Sequence, residues 1–416
     1  MPAKVWIINQ FANTPDVPGH IRQYELGQFL SSQDYEVEIF ASDYNLTQRK
    51  YRKLNFAQFY FSENYHKLQW NWLYATPYKI NNWQRYVNML SFCITLFIVG
   101  LTKRKPDIII GSSPQLLATF TAWLLAKIHG AYFYFEVRDL WPQVLIELGG
   151  KSPTSLLVRG LAWIEQLLYK KSDRVIVLAS GTVDYVKKRG ATTVHWLPNG
   201  PNLTEFQNNI TPEEAKQQYN IPSDSTCLMY TGAHGTANAL ETIVEACRIL
   251  DDEYSGKILV ILLGDGPEKQ ELIEQAKGIQ CLEFRNPLPK QEIPQFLQAA
   301  DGFIITLKNI SLFQYGVSPN KLYDYYASEK PVIVAVGGAV NQEVKSHQLG
   351  WAVPPENPQD LAKAILSFYK TCPEDRQAMG ERAKHLVEST YSRTTICQKL
   401  AAIIQEDINC LDKGRN

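Results

Sequence analysis
Short unbroken apolar runs, set between longer helical patterns, constrain this chain more than any other feature. They fall at Val5–Ile8, Val37–Phe40, Ile108–Ile110, Tyr132–Phe135 and Val175–Leu178, and again at Cys227–Tyr230, Ile258–Leu263, Phe303–Leu307 and Val332–Val336. A strand without polar alternation is covered on both faces, the mark of a parallel sheet between helix layers. Between the runs lie helical faces such as Leu240, Ile243, Val244, Cys247 and Leu250. The alternation occurs twice, so the expected fold class is α/β, with two doubly wound Rossmann-like domains. The length of 416 residues agrees, because single cores stop growing near roughly 250–300 residues. Pro and Gly crowd the stretch Leu197–Asn202 and place the seam there. The expected division is 1–200, 201–390, and a terminal helix over 391–416 packing back on the first domain. Residues 40 to 85 are rich in Tyr, Phe, Trp and Asn and read as an irregular insertion with short strands.

Charge and cysteine usage narrow the classes. Lys+Arg and Asp+Glu both number 42, so nucleic acid is not an expected partner. Seven Cys include no C-x-x-C pair, which fits reduced thiols in a cytoplasmic protein. The N-terminus reads as a first strand rather than a signal peptide. The run Met89–Leu101, with Lys103, Arg104 and Lys105 after it, is shorter than the ~20 residues that span a bilayer. It is either a buried helix or one lying with one face on a membrane surface. No G-x-G-x-x-G follows a strand, and Leu145 stands where a P-loop ending in Gly150-Lys151-Ser152 needs Gly. D-x-D, H-E-x-x-H and paired Cys are absent from the sequence, so no metal ligand set is visible.

Five segments carry candidate chemistry. In Ser318–Pro331, Ser318 suits an N-cap and Pro319 the first helical position. Lys321 then lies in the first turn, where free N–H groups and a Lys suit phosphate. Asp324 follows on the same face and suits vicinal sugar hydroxyls. In Tyr230–Leu240, Gly232 and Gly235 let the backbone approach a diphosphate. Gly264 and Gly266 form a similar loop at another strand end. In the first domain, Gly19 and His20 open a helix after the first strand, and Arg138, Asp139 and Trp141 join charge, carboxylate and stacking surface at an expected crevice.

Together these segments, with Leu197–Gly200 and Trp6–His20, resemble the retaining GT-B-fold glycosyltransferases of the family 4 type. The resemblance covers essentially the whole chain and points in particular to bacterial capsule, colanic-acid and O-antigen members, including N-acetyl-fucosamine transferases. It implies two domains facing across a cleft, the first on the acceptor side, the second holding a nucleotide-sugar, with UDP-sugars favoured. Asp324 matches the second acid of the family's E-x7-E element, on ribose. The first acid belongs eight residues earlier, where Gly316 stands, so backbone at Gly316 and Val317 is left to meet the donor sugar. Arg285 lies where the family contacts the nucleotide, with Gly264 and Gly266 alongside. Lys321, Ser318, Gly19, Gly232 and Gly235 are implied for the diphosphate. Asp139 or His20 is implied for the acceptor hydroxyl, with Arg138 and Trp141 beside it. The resemblance further implies hexosyl or N-acetylhexosaminyl transfer without metal or cofactor, a polyprenyl-diphosphate-linked acceptor, and a place at the inner face of the plasma membrane. A GT-B-fold sugar-nucleotide epimerase and a non-catalytic nucleotide-sugar-binding subunit remain alternatives.

Overall fold
The structure is a computed structural model that describes residues 2–17, 21–46, 48–55, 58–79, 83–207 and 210–415. The chain divides into two compact units. One holds Met1–Leu178, Thr182–Leu197 and Cys397–Asn416; the other holds Ala179–Gly181 and Pro198–Ile396.

In the first unit the strands are β1 (Lys4–Ile8), β2 (Glu36–Ser42), a small hairpin of β3 (Tyr44–Asn45) and β4 (Lys50–Tyr51), β5 (Tyr60–Tyr65), β6 (Leu68–Leu73), β7 (Ile108–Ser112), β8 (Tyr132–Val137), β9 (Arg174–Val177) and β10 (Val194–Trp196). Eight of them form one sheet in the order β10-β9-β8-β7-β1-β2-β6-β5. Every pair is parallel except β5 with β6. Trp6, Ile39, Trp70, Ile109 and Tyr134 are buried along its centre, as a sheet covered on both faces requires. The terminal helix Arg393–Arg415 is tied to this unit by Asp407, which takes a 2.6 Å bond from the Tyr134 hydroxyl and a 2.6 Å bond from Arg174 Nη2.

The second unit has β11 (Thr226–Thr231), β12 (Ile258–Leu263), β13 (Leu282–Arg285), β14 (Gly302–Thr306), β15 (Val332–Ala335) and β16 (Gly350–Val353). Their order is β13-β12-β11-β14-β15-β16, all parallel. That is the Rossmann order, with its switch point between β11 and β14, where ligands bind beyond the strand ends. In the first sheet the reversal falls between β1 and β7.

Several elements differ from the sequence expectation. β10, β13 and β16 had no apolar run to announce them; they lie at sheet edges, where partial exposure relaxes the pattern. The expected irregular insertion contains β6, a buried strand hidden by Gln69 and Asn71. Asn71 is tolerated there because it donates to Glu38 at 2.9 Å and accepts from Lys103 at 2.7 Å. The apolar run at Met89–Leu101 belongs to a longer helix, Trp83–Thr102.

Candidate active site
In the second unit the switch point is a set of turns stitched by backbone. Gly232 N–H donates to Leu263 at 2.9 Å, His234 N–H to Asp265 at 2.9 Å and Gly264 N–H to Arg285 at 3.1 Å. These turns approach so closely that side chains are excluded. A Cβ on Gly264 would lie 1.8 Å from the Gly232 carbonyl oxygen, and Gly264 has φ +151°. A Cβ on Gly266 would meet the His234 carbonyl at 2.3 Å. Gly235 is different: a Cβ there meets nothing within 4 Å.

Lys321 reaches into this cradle from the helix Asn320–Ala327. Its Nζ donates to the Tyr230 hydroxyl at 2.6 Å and to Asn238 Oδ1 at 3.2 Å, and lies 4.1 Å from the centre of the Tyr230 ring. It rests against Gly232, whose added Cβ would be 2.9 Å away. Among the described residues no carboxylate pairs with it. Burial without a counter-charge pulls its ammonium down to about 7. The Asp324 carboxylate, one turn on, takes no hydrogen bond from any described residue. Burial pushes its carboxyl up to about 7, with Lys290 and Arg393 pulling the other way.

The helix begins one residue later than its sequence suggests. Pro319 is the N-cap and makes no side-chain cap bond, so Ser318 is not the cap. Its hydroxyl instead accepts from Asn199 N–H at 3.2 Å and pairs with the Tyr323 hydroxyl at 3.1 Å. Gly316, beside Val317 and Ser318, has φ +120°, a backbone that disfavours any L side chain, an acid included. Arg285 enters the turns through its carbonyl, while its side chain is engaged with neighbours. Its guanidinium bonds Glu283 at 2.7 Å and the Tyr219 carbonyl at 2.8 Å. The loop near it is served by a residue sequence reasoning missed. Lys269 is buried and donates to the carbonyls of Gly264 at 2.8 Å and Arg285 at 3.1 Å and to Asn286 Oδ1 at 2.9 Å. The available signal was its place just after the Gly264–Pro267 turn. His234, fully buried between Tyr230 and Phe284, has both ring nitrogens unpartnered; burial first, then Lys269, lowers its basicity.

In the first unit the end of β8 carries a closed network. Glu136 takes bonds from Arg22 Nε at 2.9 Å, from Gln23 at 3.2 Å and from the Ser112 hydroxyl. Arg22 also donates to the Leu197 carbonyl at 2.9 Å. Burial works against the Glu136 charge, but Arg22, Arg138 and these bonds hold its carboxyl below the usual range. Just beyond β8, Arg138 N–H donates at 2.8 Å to the Oγ of Ser113, which follows β7. Asp139 and Trp141 follow. The Asp139 side chain is exposed. Desolvation by the surrounding protein raises its carboxyl, and the Arg138 charge opposes the rise. Gly19 and His20 lie outside the described residues. Among those described, no three His, Cys, Asp or Glu side chains cluster to hold a metal.

Two Rossmann-like units, one with a glycine-lined set of turns at its switch point, are the architecture of the GT-B class of glycosyltransferases. The comparisons agree: residues 20–200 match the glycosyl transferase 4-like domain and residues 212–386 match glycosyl transferases group 1. The chain is therefore a glycosyltransferase of this family, built from these two domains. It is 25% identical to a Pseudomonas aeruginosa protein named probable glycosyltransferase WbjE, covering 74% of this chain and 78% of the relative. It is 24% identical to WcaI of Escherichia coli K12, named for colanic acid biosynthesis, covering 78% and 79%. The fold matches Anabaena Alr3699/HepE, solved in complex with UDP, with TM-score 0.71, 14% identity, and 97% and 100% coverage.

Proposed function
We propose that this glycosyltransferase moves a hexosyl or N-acetylhexosaminyl unit, with retention, from a nucleotide-diphosphate sugar to a polyprenyl-diphosphate-linked glycan during cell-surface polysaccharide synthesis. The relatives named for colanic acid and as WbjE support the setting, and the UDP seen on Anabaena Alr3699/HepE supports a UDP-sugar. The observation that carries the reading is Lys321, a half-buried cation that no carboxylate among the described residues pairs with, held by Tyr230 and Asn238 over Gly232. A diphosphate is the counter-charge this arrangement lacks. Gly235 leaves open room beside it.

In this reading the bond from anomeric carbon to diphosphate oxygen breaks, and the acceptor oxygen bonds that carbon on the same face. The charge that develops lies on the leaving phosphate. Lys321 and the backbone N–H groups at Gly235 oppose it, with no metal required. Asp324 accepts from the ribose hydroxyls, and backbone at Gly316 and Val317 meets the sugar. Asp139 or His20 orients the acceptor hydroxyl or takes its proton. A cytoplasmic setting fits the seven free thiols.

The test is a panel of UDP-, GDP- and TDP-sugars with membrane lipid acceptor. Sugar transfer is expected. Release of free sugar without acceptor would make the protein an epimerase, and binding without turnover under all conditions would make it a non-catalytic subunit.

A further inference from the structure
We propose that the outer face of the first unit's helix layer docks on an anionic phospholipid surface. The helix Trp83–Thr102, the helix Leu116–His129 and the helix Leu156–Lys171 make crossovers running the same way along the sheet, so right-handed connections put them on one face. They pack side by side, with Leu116–His129 in the middle. The inner side of Trp83–Thr102 is buried through Phe92, Cys93, Leu96 and Val99. Its outer side carries Trp83, Val87, Leu90, Ile94, Ile98 and Leu101 at steps of three and four, each between 41% and 68% exposed. Leu156 and Trp163 on the third helix and Ile128 on the middle one continue the apolar surface. So many large apolar side chains exposed on one helix layer mark an interaction site.

Charge identifies the partner. The chain as a whole has zero net charge, yet the outward-facing basic residues of this layer are Lys127, Arg159, Lys170 and Lys171, and the single acid of its three helices is Glu165. Glu165 is buried and taken up by Arg189 at 3.0 Å and the Tyr169 hydroxyl at 2.9 Å. Apolar side chains with cations among them and no acid at the surface match lipid headgroups over an acyl layer. The cations nearest in sequence, Lys103 and Arg104, do not serve this face. Lys103 bonds Asn71 and Ser62, and Arg104 bonds Glu36.

The helix is long and apolar enough to cross a membrane, but its inner side is committed to the unit. Asn88 accepts from Gln10 at 2.8 Å and donates to the Thr76 carbonyl at 2.6 Å. Insertion would strip those bonds and expose the sheet, whereas lying in the interfacial plane keeps both.

The test is sedimentation of the full chain with vesicles of equal parts phosphatidylcholine and phosphatidylglycerol, against phosphatidylcholine alone. The variant Leu90→Gln/Ile94→Gln/Ile98→Gln lies wholly outside the donor site. Its UDP-glucose thermal shift reports folding and donor binding separately from membrane binding. Wild type is expected on the anionic vesicles, and the variant is expected to lose roughly tenfold or more of that binding. Lys127→Glu/Arg159→Glu is expected to erase the preference for anionic lipid. The proposal is overturned if wild type ignores anionic vesicles, or if the triple variant binds them as well as wild type does. It is equally overturned if the wild type proves a dimer that the triple variant splits, with no vesicle binding.

Discussion
Glu136, buried, and Lys321, half-buried, are charges near the carboxyl ends of strands in comparable Rossmann units, and they are treated in opposite ways. Glu136 is saturated by Arg22, Gln23 and Ser112, all from its own unit. Lys321 has a phenol and an amide oxygen but no carboxylate. A buried charge whose partners are supplied by the fold is structural. One left without its counter-charge is costly to the free protein and is satisfied only when an anion arrives. The contrast separates architecture from binding more sharply than position does, since both residues sit where such folds place ligands.

The comparison breaks most readily at Glu136. Glu136→Ala strands Arg22 in a closed network, and urea unfolding should show a loss of about 3–5 kcal/mol. Lys321→Met should do the reverse. The free protein should melt no lower than wild type, while calorimetry should show UDP-sugar affinity falling on the order of a hundredfold. Wild-type affinity in Lys321→Met would remove the residue from the diphosphate site. Gly264→Ala should cost about 1–3 kcal/mol of stability, because its Cβ falls on the Gly232 carbonyl and its φ is positive.

Acidity sharpens the contrast further. Lys321 has its folded value lowered to about 7, below its ordinary value of 10.5. Below about 7 it is charged in both folded and unfolded states, and the burial penalty is fully present. The free protein regains stability as pH rises from there toward the unfolded value. A bound diphosphate favours the charged form, so binding above pH 7 should take up a proton. UDP-sugar affinity should weaken by up to about tenfold per pH unit between 7 and 9. Lys321→Met should flatten that slope. The smallest effect is expected for Asp324→Asn, which keeps shape but weakens acceptance from ribose hydroxyls, at about 1 kcal/mol of donor affinity.

Much of this was legible in the chain. The central strands β1, β2, β7, β8, β11, β12, β14 and β15 were marked by apolar runs because burial on two faces leaves no place for polar residues. The edge strands were not, because half their surface is wet. β6 was hidden because Asn71 is polar in isolation and satisfied only by Glu38 and Lys103 from distant parts of the sequence. The glycines of the cradle could be marked as allowing close approach. Which neighbour each approaches required the fold: Gly232 for Gly264, His234 for Gly266, and nothing for Gly235.

Two parallel α/β units follow from local patterning alone, because burial on both faces imprints its periodicity on the central strands and on the helices that cover them. The sequence also marked Lys321 and Asp324 on one helical face, because three residues make almost one turn. Tertiary structure decided the rest. Only when β11 and the helix Asn320–Ala327 are packed together does Lys321 meet Tyr230 and lack a carboxylate. Only then is Arg285 committed to Glu283, and the apolar face of Trp83–Thr102 split into one half that packs and one half left bare. Pairing and exposure depend on residues far apart in the chain, and no local pattern records them.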